Sequence, residues 1–239
     1  STEVNGAGED IGEQVADDLY QMALTAVSGY GVVVQSGSLL PGIPPNIYAK
    51  ISEEIQRSNG ISILDSSHEP MLQGVLGHVD IFKPNLEEFR QLTDCNPASR
   101  EDLVRTAAAC CRKYDMALLL LSLGENGAIL TDGRFAYSAN VPTPERVQGK
   151  PVAPILSLTG AGDTMTAMLA AVASATPKNQ SFAEYLTGLD PVWLLRLVMG
   201  AAQAGIRTPG TEMPHLEDIA AWYEHIVAED YTHCLSQNS

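Results

Sequence analysis

Short β-rich runs alternate with helical stretches along most of this chain, and that alternation constrains the fold more than any other feature. Residues 31–36 read Gly-Val-Val-Val-Gln-Ser, 61–65 read Ile-Ser-Ile-Leu-Asp, and 79–82 read Val-Asp-Ile-Phe. Residues 117–121 form the most hydrophobic run, Ala followed by four leucines. Each is predicted as a strand, the first of them buried. A helix is predicted over 10–26, with Ile11, Val15, Leu19, Met22 and Ala23 on its inward face. A second covers 46–57, where Ile47, Ile51 and Ile55 recur every four residues. A third starts from Ser99 as cap and runs to about Tyr114, with Leu103, Ala107 and Cys110 inward. Residues 127–131 should pair with 135–138 across an Asp132-Gly133 turn. A β-α-β-α order calls for a mostly parallel sheet with helices on both faces. The sequence has no internal repeat and no low-complexity linker, so a single domain over 1–239 suffices.

In such sheets ligands sit beyond the carboxyl ends of the strands. Four of these ends are polar: Ser36-Gly-Ser-Leu-Leu-Pro-Gly42, Asp65-Ser-Ser67, Lys83-Pro-Asn-Leu-Glu-Glu88 and Ser122-Leu-Gly-Glu-Asn-Gly127. Each also has a plainer reading. Asn85 and Glu88 could form a helix-capping pair, Gly124 and Gly127 could serve a tight turn, and Asp65 could make a loop hydrogen bond.

The stretch Leu158-Thr159-Gly160-Ala161-Gly162-Asp163 opens an Ala/Met/Leu-rich helix. A helix N-terminus presents unpaired N–H groups and partial positive charge, and glycines let a phosphate approach its backbone. A carboxylate in that cradle would suit a general base for a hydroxyl attacking a phosphoryl group. Asp163 as a simple cap or first-turn acid is the alternative.

Composition narrows the field. Hydrophobic residues make up 45% and charged residues 18%, which suits a packed α/β domain rather than a disordered chain or coiled coil. A formal net charge of −15 argues against a nucleic-acid partner. Cys95, Cys110, Cys111 and Cys234 form no CxxC and no zinc-ligand cluster, and the adjacent Cys110 and Cys111 read as reduced packing residues on a helix. No apolar stretch is long enough to span a membrane and no signal peptide is apparent, so a soluble, cytosolic chain is expected.

Taken in order, the four strand-end motifs and Thr159-Gly-Ala-Gly-Asp163 resemble the PfkB family of sugar kinases, closest to its phosphofructokinase branch. Gly200-Ala-Ala-Gln-Ala-Gly205 and Pro209-Gly-Thr211 extend the resemblance towards the carboxyl end. It implies a ribokinase-like three-layer α/β/α sandwich around a mostly parallel sheet. It also implies ATP-dependent phosphoryl transfer to a hydroxyl of a sugar phosphate, with fructose 6-phosphate ahead of fructose 1-phosphate and tagatose 6-phosphate. Asp163 would be the catalytic base, and Gly160, Ala161 and Gly162 the anion hole. Asn85 and Glu88 would match an NxxE motif ordering Mg²⁺ and the triphosphate, with Glu88 acting on Mg²⁺ indirectly. Lys83, Ser122, Leu123, Gly124, Glu125, Asn126 and Gly127 would contact ATP, and Ser38 the sugar phosphate. Ser157, Thr159 and Gly210 lie where some relatives bind a monovalent cation, which leaves K⁺ open beside ATP and Mg²⁺.

The departures are specific. The family's substrate aspartate, its Gly-Gly-Asn turn, its basic grip on the acceptor phosphate and its β-lid are not identifiable, with 1–8 read as a lid remnant. The domain therefore reads as N-terminally incomplete. A homodimer stays open, weakened by the missing lid. Two functions stand: a sugar-phosphate kinase, or a non-catalytic nucleotide-binding module acting through a partner.

Overall fold

In the computed structural model, which describes residues 8–9, 11–140, 144–158, 160–209 and 212–236, seven strands share one sheet. The strands are β1 (Val32–Ser36), β2 (Ile61–Asp65), β3 (Ile81–Phe82), β4 (Leu118–Ser122), β5 (Ala128–Thr131), β6 (Ala136–Asn140) and β9 (Val227–Asp230), in that spatial order. β1 to β4 are parallel, with Ser36 beside Asp65 and Phe82 beside Leu119. β5, β6 and β9 extend the sheet antiparallel, Thr131 facing Ala136 across the Asp132-Gly133 turn. A separate hairpin joins β7 (Arg146–Val147) to β8 (Lys150–Pro151).

The leucine run of β4 shows how the sheet is built into three layers. Successive side chains of a strand point to opposite faces. Leu119 and Leu121 accordingly join one apolar core, and Leu118 and Leu120 the other, all fully buried. Burying each is worth about 1.5–3 kcal/mol. The first core is closed by α1 (Gly12–Val27), α2 (Ile47–Arg57), α3 (His68–Val75), α4 (Leu86–Thr93) and α5 (Arg100–Lys113). The second is closed by α6 (Ala161–Ser174), α7 (Phe182–Thr187) and α8 (Pro191–Gly205). α9 (Leu216–Tyr223) packs on α8 through Ile219 and Trp222. The expected α/β/α sandwich with a mostly parallel sheet is what the chain forms.

Three local expectations are corrected. β1 is an edge strand, not a buried one: only Gln35 is buried, and Val34 is 41% exposed. The inward face of α1 is Ala16, Tyr20, Ala23, Leu24 and Val27, while Val15, Leu19 and Met22 are exposed. Here α1 meets the molecule through a narrow strip against α2, with the Lys50 ammonium over the Tyr20 ring. Alanines let the helices approach, and the longer apolar residues Val15, Leu19 and Met22 fall outside that strip. β3 is shorter than its four-residue signal because only Ile81 and Phe82 pair on both sides. The stretch 1–8 lies outside the described residues apart from Gly8.

Candidate active site

The carboxyl ends of β1 to β4 meet the N-terminus of α6 on one edge of the sheet. After β1 the chain turns at Gly37, whose φ of +91° favours glycine. The Tyr48 hydroxyl stands 3.0 Å from the Ser36 carbonyl, and the Ser66 hydroxyl donates to the Gly37 carbonyl at 2.8 Å. These bonds fix the turn that carries Ser38. Ser38 is exposed and lines a hollow of about 600 Å³ with Pro41, Ile43, Ser67 and His68. A larger hollow of about 1020 Å³ opens at the opposite edge of the sheet, beside Tyr30, Asn59 and Asp80. It contains none of the strand-end groups, so size does not mark the site here.

Lys83 follows β3 and is almost fully buried, with its ammonium 2.9 Å from Asp65 Oδ1 at the end of β2. The Thr166 hydroxyl of α6 stands 2.6 Å from Asp65 Oδ2. Buried ion pairs roughly break even in stability against apolar packing, so this pair is chiefly a matter of geometry.

Asn85 and Glu88 form a full capping box at the start of α4. Asn85 Oδ1 accepts the Glu88 N–H at 2.9 Å, and Glu88 Oε2 accepts the Asn85 N–H at 2.8 Å. The capping reading is therefore realised, and it also fixes the Glu88 carboxylate at the strand-end edge. Burial holds the Glu88 carboxyl above its usual range; the Asn85 amide and the Lys83 and His68 charges pull it down, and Asp65 pushes it up.

The loop 122–127 leaves β4 tied to β3. Ser122 N–H donates to the Pro84 carbonyl at 2.9 Å, and Asn85 bridges to Ser122 as a parallel pair. Leu123 is buried in the core, while Gly124, Glu125 and Asn126 form an exposed 3₁₀ turn whose Asn126 carbonyl accepts from Arg100. Gly127 is required: at φ +87° a Cβ would sit 1.8 Å from the Ala139 carbonyl oxygen.

α6 begins at Gly160, which adopts φ +93° and, as a glycine, offers no side chain to cap the first turn. Ala161, Gly162 and Asp163 form that turn, with Asp163 exposed as an acid inside the helix rather than its cap. A Cβ added at Gly162 would lie 3.3 Å from the Lys83 ammonium. The cradle and the buried cation are thus neighbours. Leu156 and Ser157 N–H both donate to the Ile206 carbonyl, which sets Ser157 beside the end of α8. Thr159 and Gly210 lie outside the described residues. Sequence reasoning assigned no role to Thr166; its signal was a hydroxyl one helical turn after Gly162, on the face that Asp65 meets.

The described residues contain no cluster of three or more His, Cys, Asp or Glu side chains able to hold a metal ion, and no helix long and apolar enough to cross a membrane. A single well-placed carboxylate still fits Mg²⁺, which keeps waters and takes much of its coordination from substrate phosphates.

The chain is similar to solved and curated proteins over nearly all its length. It is 27% identical over 182 residues to 1-phosphofructokinase of Bacillus subtilis, covering 76% of this chain and 56% of the relative. It is 26% identical over 216 residues to the ATP-dependent 6-phosphofructokinase isozyme 2 of Mycobacterium tuberculosis, covering 89% and 55%. It spans about half the length of these curated relatives. Its fold matches the crystal structure of Escherichia coli phosphofructokinase-2 in complex with potassium at a TM-score of 0.69 and 24% identity, over 90% of this chain and 63% of that one. The family model described as pfkB family carbohydrate kinase matches residues 2–218. The chain therefore belongs to the pfkB family of carbohydrate kinases.

Proposed function

We propose that this site performs ATP-dependent phosphoryl transfer to a hydroxyl of a sugar phosphate, with fructose 6-phosphate the leading acceptor, then fructose 1-phosphate and tagatose 6-phosphate. One observation carries the reading: the glycine-started N-terminus of α6 holds Asp163 in its first turn and lies against the buried Lys83 ammonium. In this reading the first-turn N–H groups of 160–162 face the transferring phosphoryl group, where fixed donors stabilise developing charge. Asp163 takes the acceptor hydroxyl's proton as the new O–P bond forms and the bond to the leaving ADP breaks. Lys83, Asn85 and the 122–127 loop serve the nucleotide side, and Ser38 the acceptor side. Glu88 would hold Mg²⁺ through water, and that ion would offset triphosphate charge when bound. Ser157, Thr159 and Gly210 would serve a monovalent cation, K⁺ by the family pattern.

A nucleotide-binding module without turnover is the second reading. The test is ADP release, coupled to an optical readout, with Mg-ATP and each of the three sugar phosphates in turn. Acceptor-dependent release abolished by Asp163→Asn supports the kinase. Saturable Mg-ATP binding with no acceptor-dependent release supports the module.

A further inference from the structure

We propose that Asp65 is a positioning residue, a two-armed clasp that sets the α6 cradle against the Lys83 cation. The proposal rests on the phosphate-cradle reading above. One carboxylate reaches both partners: Oδ1 lies 2.9 Å from the Lys83 ammonium, and Oδ2 lies 2.6 Å from the Thr166 hydroxyl. Thr166 also stands 3.0 Å from the Gly162 carbonyl. A hydroxyl has one proton to donate. The 2.6 Å separation is that of a hydroxyl donating to an ionised carboxylate, so the proton goes to Asp65 and the longer contact is the weaker one.

The consequence is geometric. Asp65 ends β2, Lys83 follows β3 and Thr166 belongs to α6, so the clasp joins three elements at one point. The strand ends are themselves aligned, because Lys83 N–H donates to the Leu64 carbonyl at 3.0 Å and Gly37 N–H to the Asp65 carbonyl at 3.1 Å. Among the described residues α6 has no such backbone link to the sheet; a helix satisfies its own ladder and meets a sheet by side chains. Thr166 lies one turn after Gly162, where an added Cβ would meet the Lys83 ammonium. A helix released from Asp65 could rotate or slide, changing the distance between the cradle amides and the cation. Both Lys83 and Thr166 are buried, so water competes poorly for either arm.

The test uses Thr166→Val, which keeps shape and removes the hydroxyl, and Thr166→Ser, which keeps the hydroxyl. Two quantities are read on the whole chain: amide hydrogen exchange in residues 161–168, and affinity for Mg-ATP. The valine variant should exchange faster there by about 5- to 100-fold, the equivalent of one lost hydrogen bond, with β4 to β6 unchanged. Its Mg-ATP dissociation constant should rise by a similar factor, and the serine variant should restore both. Unchanged exchange, or faster exchange with unchanged Mg-ATP affinity, would overturn the clasp. A wild-type chain that binds no Mg-ATP would instead overturn the kinase and module readings, and exchange alone would then decide whether Asp65 holds α6.

Discussion

A Cβ at Gly162 would lie 3.3 Å from the Lys83 ammonium, which is itself held 2.9 Å from Asp65. Glycine there keeps the cradle and the cation in contact. In an ordinary helix, Gly→Ala stabilises by about 0.5–1 kcal/mol. Gly162→Ala should forfeit that gain, because the ammonium must give by a few tenths of an ångström while it is paired with Asp65. Mg-ATP affinity should fall several-fold. A raised melting temperature with unchanged affinity would contradict the contact.

Asp163 is the group assigned to take the proton. Asp163→Asn is nearly isosteric and should leave folding and Mg-ATP affinity close to wild type. In any form of the protein that turns over, kcat should drop by about 10²–10⁴-fold. Single-turnover kinetics reads this directly, and a near-wild-type rate would remove Asp163 from the base role.

Glu88 links pH to stability with a definite sign. Its carboxyl is raised by burial, so the folded state holds the proton at pH values where the unfolded state has released it. Stability from this group is full below the usual carboxylate range and is lost as pH rises through the raised value. Glu88→Gln removes that loss, so the variant should gain on the wild type as pH rises from about 4 to 7. The same substitution should weaken the Mg²⁺ dependence of nucleotide binding. Thermal melts across that range and a Mg²⁺ titration check the two halves, and an unchanged Mg²⁺ titration would leave Glu88 a helix cap alone.

Much of this was legible in the sequence, and the reasons are local. The Leu118–Leu121 run announced a central strand because burial on both faces leaves no polar alternation. Asn85 and Glu88 announced the start of α4 because a capping box needs those residue types at that spacing. α1 was different: its apolar residues populate more than one stripe, and only the approach of α2 selects Ala16, Tyr20 and Val27 over Val15, Leu19 and Met22. β1 read as buried because Val32-Val33-Val34 carries no sign of being an edge. The Asp65–Thr166 bond spans 101 positions, so no local pattern could announce it.

The thiols offer a check on packing independent of nucleotide. Burial pushes Cys110 and Cys111 up to about 12, and Cys234 is also buried, while Cys95 is exposed. The native chain should therefore show one fast thiol towards an aromatic disulfide reagent, with the other three reacting only on unfolding. Rapid modification of Cys110 or Cys111 in the native state would contradict the placement of α5.

The central claim, that the N-terminus of α6 receives the nucleotide's phosphate, is tested most directly by calorimetric titration of Mg-ATP into the wild type and Ala161→Glu. A carboxylate at the first helical position suits the helix dipole, so the melting temperature should hold or rise slightly. The same carboxylate would stand where the phosphoryl group binds and repel it. The wild type should bind saturably and the variant at least about tenfold more weakly. Equal affinity in the two proteins, at equal stability, would place the phosphate elsewhere.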